Sequence, residues 1–90
     1  MNYIVTIAEY NNTNDEGLTI YNSELFDNPG DASQFIVDDY DDTMEMINNN
    51  KLDINEINEI IGNLKIDESY EWRTPVEVIE TEIVWKVFAK

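Results

Sequence analysis

The clearest structural signal in this chain lies in residues 53–64, which read Asp-Ile-Asn-Glu-Ile-Asn-Glu-Ile-Ile-Gly-Asn-Leu. Asp53 followed three residues later by Glu56 is the pattern of a capping box at a helix start. The apolar residues behind it are spaced so that they share one face of a helix. The pattern predicts an amphipathic helix at 54–64, with Gly62 tolerated near its end or helping to terminate it. The apolar positions are Ile54, Ile57, Ile60, Ile61 and Leu64.

A second helix is predicted upstream, at roughly residues 31–48. Its start carries two alternatives: Pro29 at the first helical position, or Asp31 as N-cap with Gln34 completing a capping box. Three asparagines at 48–50 end it. The apolar residues at helical spacing are Phe35, Ile36, Tyr40, Met44 and Ile47.

Strand-like segments flank the two helices. Tyr3–Tyr10 is rich in β-branched and aromatic residues, turn formers fill 11–17, and Leu18–Phe26 supplies a returning strand. We expect these two segments to form an antiparallel hairpin; two unpaired edge segments are the alternative. Alternation over 70–73 and the run 76–88 predict two further strands.

The order β-β-α-α-β-β is typical of an α+β fold, in which an antiparallel sheet of about four strands carries two helices on one face. Ile79, Thr81, Ile83, Trp85 and Val87 are predicted to share a face of the last strand, and Pro75 must sit at a bend or an edge. Ninety residues make one domain, residues 1–90.

The distribution of charge is strongly uneven. The net charge is −15, and the first fifty residues contain eleven carboxylates but no Lys, Arg or His. Residues 51–90 hold nine acids and five bases, so they contribute −4. Such a field repels nucleic acid and anionic membranes and speeds encounter with basic proteins. We therefore expect a basic protein partner and no direct binding of nucleic acid or membranes. The charge distribution gives no prediction of the oligomeric state.

Most familiar active sites are excluded by composition. The chain has no Cys and no His, so thiolate catalysis, the usual zinc sites and histidine acid–base chemistry are absent. Residues 51–56 resemble the second half of a calcium-binding EF-hand loop, but the preceding residues lack the required ligands and glycine. We expect no enzyme activity, no cofactor and no metal. No apolar stretch is long enough to span a bilayer and the first residues lack a signal-peptide pattern, which predicts a cytoplasmic protein.

The run Asp38-Asp39-Tyr40-Asp41-Asp42-Thr43-Met44-Glu45 is the main functional signal. Like charges at i and i+4 destabilise a helix by about 0.2–0.5 kcal/mol per pair, so a structural helix would gain from a lysine here. We expect a row of carboxylates along this helix instead to imitate a segment of sugar-phosphate backbone. A merely solvated acidic face is the alternative interpretation. The predicted partner-binding residues are Glu24, Asp27, Asp31, Asp38, Asp39, Tyr40, Asp41, Asp42 and Glu45.

In size, α+β make-up, absence of Cys and possession of the helix Asp38–Glu45, the chain resembles small acidic phage proteins that disarm host defence nucleases. These are the anti-CRISPR and anti-restriction inhibitors that act as nucleic-acid mimics. The resemblance implies that the anionic face occupies a nucleic-acid channel or the site that reads the protospacer-adjacent motif. It implies no catalytic residue. The mixed charge of residues 51–90 departs from this pattern and confines any mimicry to one side.

The alternative function is that of an acidic immunity protein or antitoxin that neutralises a basic toxin. Among the aromatic residues, exposed Tyr10, Tyr21 or Tyr40 is a candidate to imitate stacked bases, and Trp72 and Trp85 are expected in the core of the sheet.

Overall fold

The computed structural model describes residues 1–11, 17–45, 51–73 and 81–90, with the backbone alone described at 10, 11, 17–21 and 81. The elements follow the predicted order. They are β1 (Tyr3–Asn11), β2 (Gly17–Phe26), α1 (Pro29–Glu45), α2 (Ile54–Gly62), β3 (Ser69–Arg73) and β4 (Thr81–Ala89).

The four strands form one antiparallel sheet in the order β2-β1-β4-β3. The two ends of the chain therefore pair with each other at the centre of the sheet. Asn2 and Lys90 exchange backbone hydrogen bonds of 2.9 and 2.8 Å beyond the strand ends. The predicted α+β class and its β-β-α-α-β-β order are confirmed.

The predicted hairpin of β1 and β2 is also confirmed. Its register runs from Tyr3 opposite Phe26 to Asn11 opposite Gly17, and it shifts between Ile7 and Ala8. This shift is a bulge that interrupts regular pairing on the edge strand β2.

Both helices cover the same face of the sheet. That face presents Val5 and Ile7 from β1, opposite Val87 and Trp85 from β4, and all four side chains are fully buried. A single apolar cluster joins them to buried residues of both helices. The helix residues in this cluster are Ala32, Ile36, Val37, Tyr40, Met44, Ile57 and Ile61.

Helix α1 begins at Pro29, two residues before the predicted range of 31–48, so the alternative with Pro29 at the first helical position is confirmed. Asn28 is its cap. The Oδ1 atom of Asn28 accepts a hydrogen bond of 2.8 Å from the backbone N–H of Asp31, and Pro29 occupies the first helical position. Gln34 does not bond back to the cap; its amide donates to Asp38 instead, at 2.7 Å. The predicted end at 48 lies outside the described residues.

Helix α2 starts as predicted. Asp53 is its N-cap and accepts a hydrogen bond of 2.9 Å from the backbone N–H of Asn55. The helix ends at Gly62, two residues before the predicted end, and Asn63 is its C-cap.

In β4, Trp85 and Val87 are buried and Ile83 is partly buried against the same cluster, so the predicted shared face is confirmed for these three residues. Trp72 is half-buried against the core from β3. The expectations for Pro75 and Ile79, and for the segment 74–80 in general, lie outside the described residues.

Candidate functional site

Four carboxylates form a line along the exposed side of α1, which we call the acidic stripe: Asp31, Asp38, Asp42 and Glu45. All four are exposed, whereas the opposite side of the helix carries the buried residues. At 100° per residue the four side chains fall within a narrow sector of the helix. With a rise of 1.5 Å per residue, the stripe is about 21 Å long. A strand of duplex nucleic acid presents a phosphate about every 3.4 Å of axis over a comparable length.

Two further carboxylates of the helix have structural partners. The Oδ2 atom of Asp39 accepts a hydrogen bond of 2.6 Å from the indole Nε1–H of the buried Trp85. The Oδ1 atom of Asp41 accepts one of 3.1 Å from the backbone N–H of Leu52, just before α2. Both carboxylates are half-buried. They fix α1 against β4 and against the start of α2, so the predicted acidic face divides into an exposed stripe and a structural pair.

Tyr40, predicted to face a partner, lies in the core with 8% exposure. Its ring packs on the ring of Trp85, with centroids 4.9 Å apart. Burial raises the pKa of Tyr40, and the charge of the adjacent Asp41 raises it further. The predicted base-stacking role is therefore wrong for Tyr40, because this residue lies on the buried side of α1. The side chains of Tyr10 and Tyr21 lie outside the described part of the structure.

The remaining predicted residues lie near the start of α1. Glu24 is exposed on the edge strand β2, and Asp27 is exposed just after it. The Nδ2 atom of Asn28 donates to Asp27 Oδ1 and to Asp31 Oδ2, each at 2.9 Å, which holds these two carboxylates side by side. An open depression of about 330 Å³ adjoins them; it is lined by Asn2, Leu25, Phe26, Asp27 and Asp31.

The negative charge of α1 is not neutralised within the described residues. Three ion pairs occur among them: Arg73 with Glu71 (3.3 Å) and Glu82 (3.4 Å), and Lys90 with Asp67 (3.7 Å). All three lie in the second half of the chain. Helix α1 contains six acidic residues and no basic residue. The exposed carboxylates of α1 therefore present unpaired negative charge to solvent on the helix-covered side of the sheet.

In the described ranges, no group of three or more acidic side chains is placed to hold a metal ion. Neither described helix has the length and apolar character needed to cross a bilayer.

Comparison with protein-family models, with curated proteins and with solved structures gives no match for this chain.

The contact between Asp39 and Trp85 could not be read from the sequence. The two residues are 46 positions apart in the chain, and no local pattern identifies Trp85 as the partner. The indirect signal is the position of Asp39 at the border of the apolar side of the helix, whereas Asp38 and Asp42 lie nearly opposite that side.

Proposed function

We propose that this protein is a non-enzymatic inhibitor of a nucleic-acid-binding defence nuclease, of the anti-CRISPR type, that occupies a DNA- or RNA-binding groove by electrostatic mimicry and steric block. The observation that carries the proposal is the acidic stripe: four exposed carboxylates in line along one helix, with no ion-pair partner among the described residues. A helix stabilised only for its own sake would pair these charges with lysines.

The mechanism is competition for cations. Arginines and lysines of the groove that otherwise neutralise phosphates pair with the stripe instead. Exposed charges are screened beyond about 10 Å at 0.1 M salt, so affinity falls as the salt concentration rises. Binding also fills the groove with the body of the protein, which excludes nucleic acid by volume.

The depression beside Asp27 and Asp31 suits an arginine of the partner. Leu25 is 64% exposed and, with Phe26, offers apolar surface for the aliphatic stem. The two carboxylates, held together by Asn28, face the guanidinium. Arginine prefers such planar, multidentate contacts to carboxylates. This site extends the stripe at its N-terminal end.

The partner in this proposal is a basic nucleic-acid-binding protein in the cytoplasm of the host cell, and the protein is phage-encoded. It needs no cofactor.

The test uses two triple variants that change the net charge equally. Asp38→Lys, Asp42→Lys and Glu45→Lys reverse most of the stripe and leave Asp39 and Asp41 in their structural contacts. The matched control reverses Glu9, Glu56 and Glu59, which are exposed and lie outside α1. Each variant moves the net charge from −15 to −9, a difference of six from three reversals.

The tagged wild-type protein and both variants are used to capture proteins from a lysate of the host, at low and at high salt, with identification by mass spectrometry. We expect the wild type and the control to retain a nucleic-acid-binding protein at low salt, and the stripe variant to lose it. Equal loss by both variants would show that net charge alone is responsible, and equal retention would reject the stripe. A retained toxin encoded beside this gene would support an immunity protein instead.

A further inference from the structure

Strand β3 forms an edge of the sheet that the described residues leave open. It pairs with β4 on one side, and no described strand lies on the other. Four of its five residues are exposed, and Trp72 is half-buried. Unpaired backbone groups along such an edge are a template for pairing with another chain.

The side chains of β3 favour pairing with a second copy of the same strand. Glu71 and Arg73 share one side of the strand, and Tyr70 and Trp72 share the other. In an antiparallel pair centred on Trp72, Glu71 of each chain lies directly opposite Arg73 of the other. Opposite charges in this position stabilise a sheet and like charges destabilise it. A register centred on Glu71 would instead place two glutamates face to face.

The same register brings aromatic rings together. The rings of Tyr70 and Trp72 already pack within one chain, with centroids 4.8 Å apart, although Tyr70 is 44% exposed. Centring on Trp72 sets the two Trp72 side chains opposite each other and covers the exposed Tyr70. Aromatic pairs across strands are a favourable cross-strand combination.

Long-range charge also selects β3 over β2, the other edge. Helix α1 packs against β1, β2 and β4. With strands about 4.8 Å apart, pairing through β3 separates the two β1 strands by five spacings, about 24 Å, whereas pairing through β2 separates them by three, about 14 Å. The screening length is about 8 Å at physiological salt, so the two acidic helices repel far less in the first arrangement. The bulge further disrupts the β2 edge.

We propose that two copies of this protein associate through antiparallel pairing of their β3 strands, centred on Trp72, to form a continuous eight-stranded sheet. The dimer is two-fold symmetric. It carries both acidic stripes on the helix-covered side and leaves them free. The inference is independent of the proposed function, because it concerns only the protein with itself.

The first test uses charge reversal with mixing. Arg73→Glu places glutamate opposite glutamate in its own homodimer, and Glu71→Arg places arginine opposite arginine. A mixture of the two variants restores opposite charges at both positions. We expect the wild type to dimerise in sedimentation equilibrium between about 10 µM and 1 mM, the affinity range of a small interface. Each variant alone is expected to stay monomeric, and the mixture is expected to form a heterodimer.

A second test fixes the register and does not rely on reversed charges. The chain has no cysteine, so an introduced disulfide reports only on the introduced positions. In a mixture of Glu71→Cys and Arg73→Cys chains, the two cysteines lie opposite each other in the heterodimer, within disulfide reach, and the second pair keeps its native Arg73 and Glu71. We expect the mixed disulfide to exceed the statistical mixture clearly.

As a control, circular dichroism is used to check that each variant is folded before its association is measured. A monomeric wild type across the whole concentration range overturns the proposal. So does dimerisation by either reversed chain alone, or a statistical mixture of disulfides, since each places the contact elsewhere.

Discussion

Replacing Asp39 by alanine removes the acceptor for the indole N–H of Trp85, a donor that is completely buried. A hydrogen bond to a charged group contributes about 1.5–3 kcal/mol, and a buried donor left without an acceptor costs about 1–3 kcal/mol. Two terms oppose this loss: alanine is up to about 0.7 kcal/mol better in a helix, and relief of like-charge repulsion adds about 0.2–0.5 kcal/mol per pair.

Asp38→Ala is the matched control, because Asp38 is the exposed neighbour and its only described side-chain hydrogen bond comes from the exposed amide of Gln34. It gains the same helix propensity without losing a buried contact, and it is relieved of repulsion from two acidic neighbours, Asp41 and Asp42, where Asp39 has one, Asp42. The difference in free energy of unfolding between the two variants therefore reports the indole bond, at about 1.5–3 kcal/mol, plus one like-charge pair of about 0.2–0.5 kcal/mol. Asp39→Asn keeps a neutral acceptor, so its free energy of unfolding is expected to lie between those of the two alanine variants.

The assay is urea unfolding followed by far-UV circular dichroism, supported by thermal melts. For a domain of this size, 1 kcal/mol corresponds to about 4–8 °C, so the two alanine variants are expected to melt at least about 6 °C apart. If Asp39→Ala proved as stable as Asp38→Ala, the contact between Asp39 and Trp85 would not be what holds α1 on the sheet.

Three further predictions concern stability. The pKa of Tyr40 in the folded state lies above its ordinary value of 10.0. The contribution of the protonated hydroxyl to the free energy of unfolding is therefore complete below pH 10 and is lost as the pH rises through the folded-state pKa. Tyr40→Phe is expected to reduce this alkaline loss of stability in urea unfolding at successive pH values. Asp41→Ala leaves the backbone N–H of Leu52 without its acceptor and is expected to cost about 1 kcal/mol in the same assay, whereas no change would show that this contact is dispensable. Asp67 has a φ of 72°, so Asp67→Gly is expected to be neutral or to raise the melting temperature, and Asp67→Ala to lower it; the reverse order would contradict the assignment of strain there.

Local patterns were sufficient to predict the elements. The apolar spacing behind Asp53 predicted α2, and the turn-rich segment between two β-branched runs predicted the hairpin. Of the two predicted α1 starts, Pro29 at the first helical position is confirmed and Asp31 as N-cap is wrong. Asn28, Pro29 and Asp31 each have helix-starting chemistry, and the choice depends on which side chain reaches the free N–H groups. In the structure, Asn28 does so.

Contacts between residues that are distant in the sequence cannot be predicted from local patterns. The pairing of β1 with β4 joins the two ends of the chain, and no local pattern specifies it. In the acidic run 38–45, helical spacing places Asp39 and Asp41 at the borders of the apolar side and Asp38 and Asp42 nearly opposite it, but it does not identify Trp85 and Leu52 as the partners. The sequence pattern favours both the core and the partner-binding surface for Tyr40, and the structure supports only the core.

The proposed function requires that the acidic stripe takes the place of nucleic acid in a cationic groove. Its most direct test is competition on the purified captured protein, with displacement of a labelled oligonucleotide followed by fluorescence anisotropy. We expect the wild type and the Glu9, Glu56 and Glu59 reversal to displace the oligonucleotide at about 0.1 M salt and much less well at about 1 M, where the screening length falls to about 3 Å. The Asp38, Asp42 and Glu45 reversal is expected not to displace it. Binding of the protein and the oligonucleotide at the same time, or displacement unaffected by the stripe reversal, would rule out nucleic-acid mimicry by the stripe.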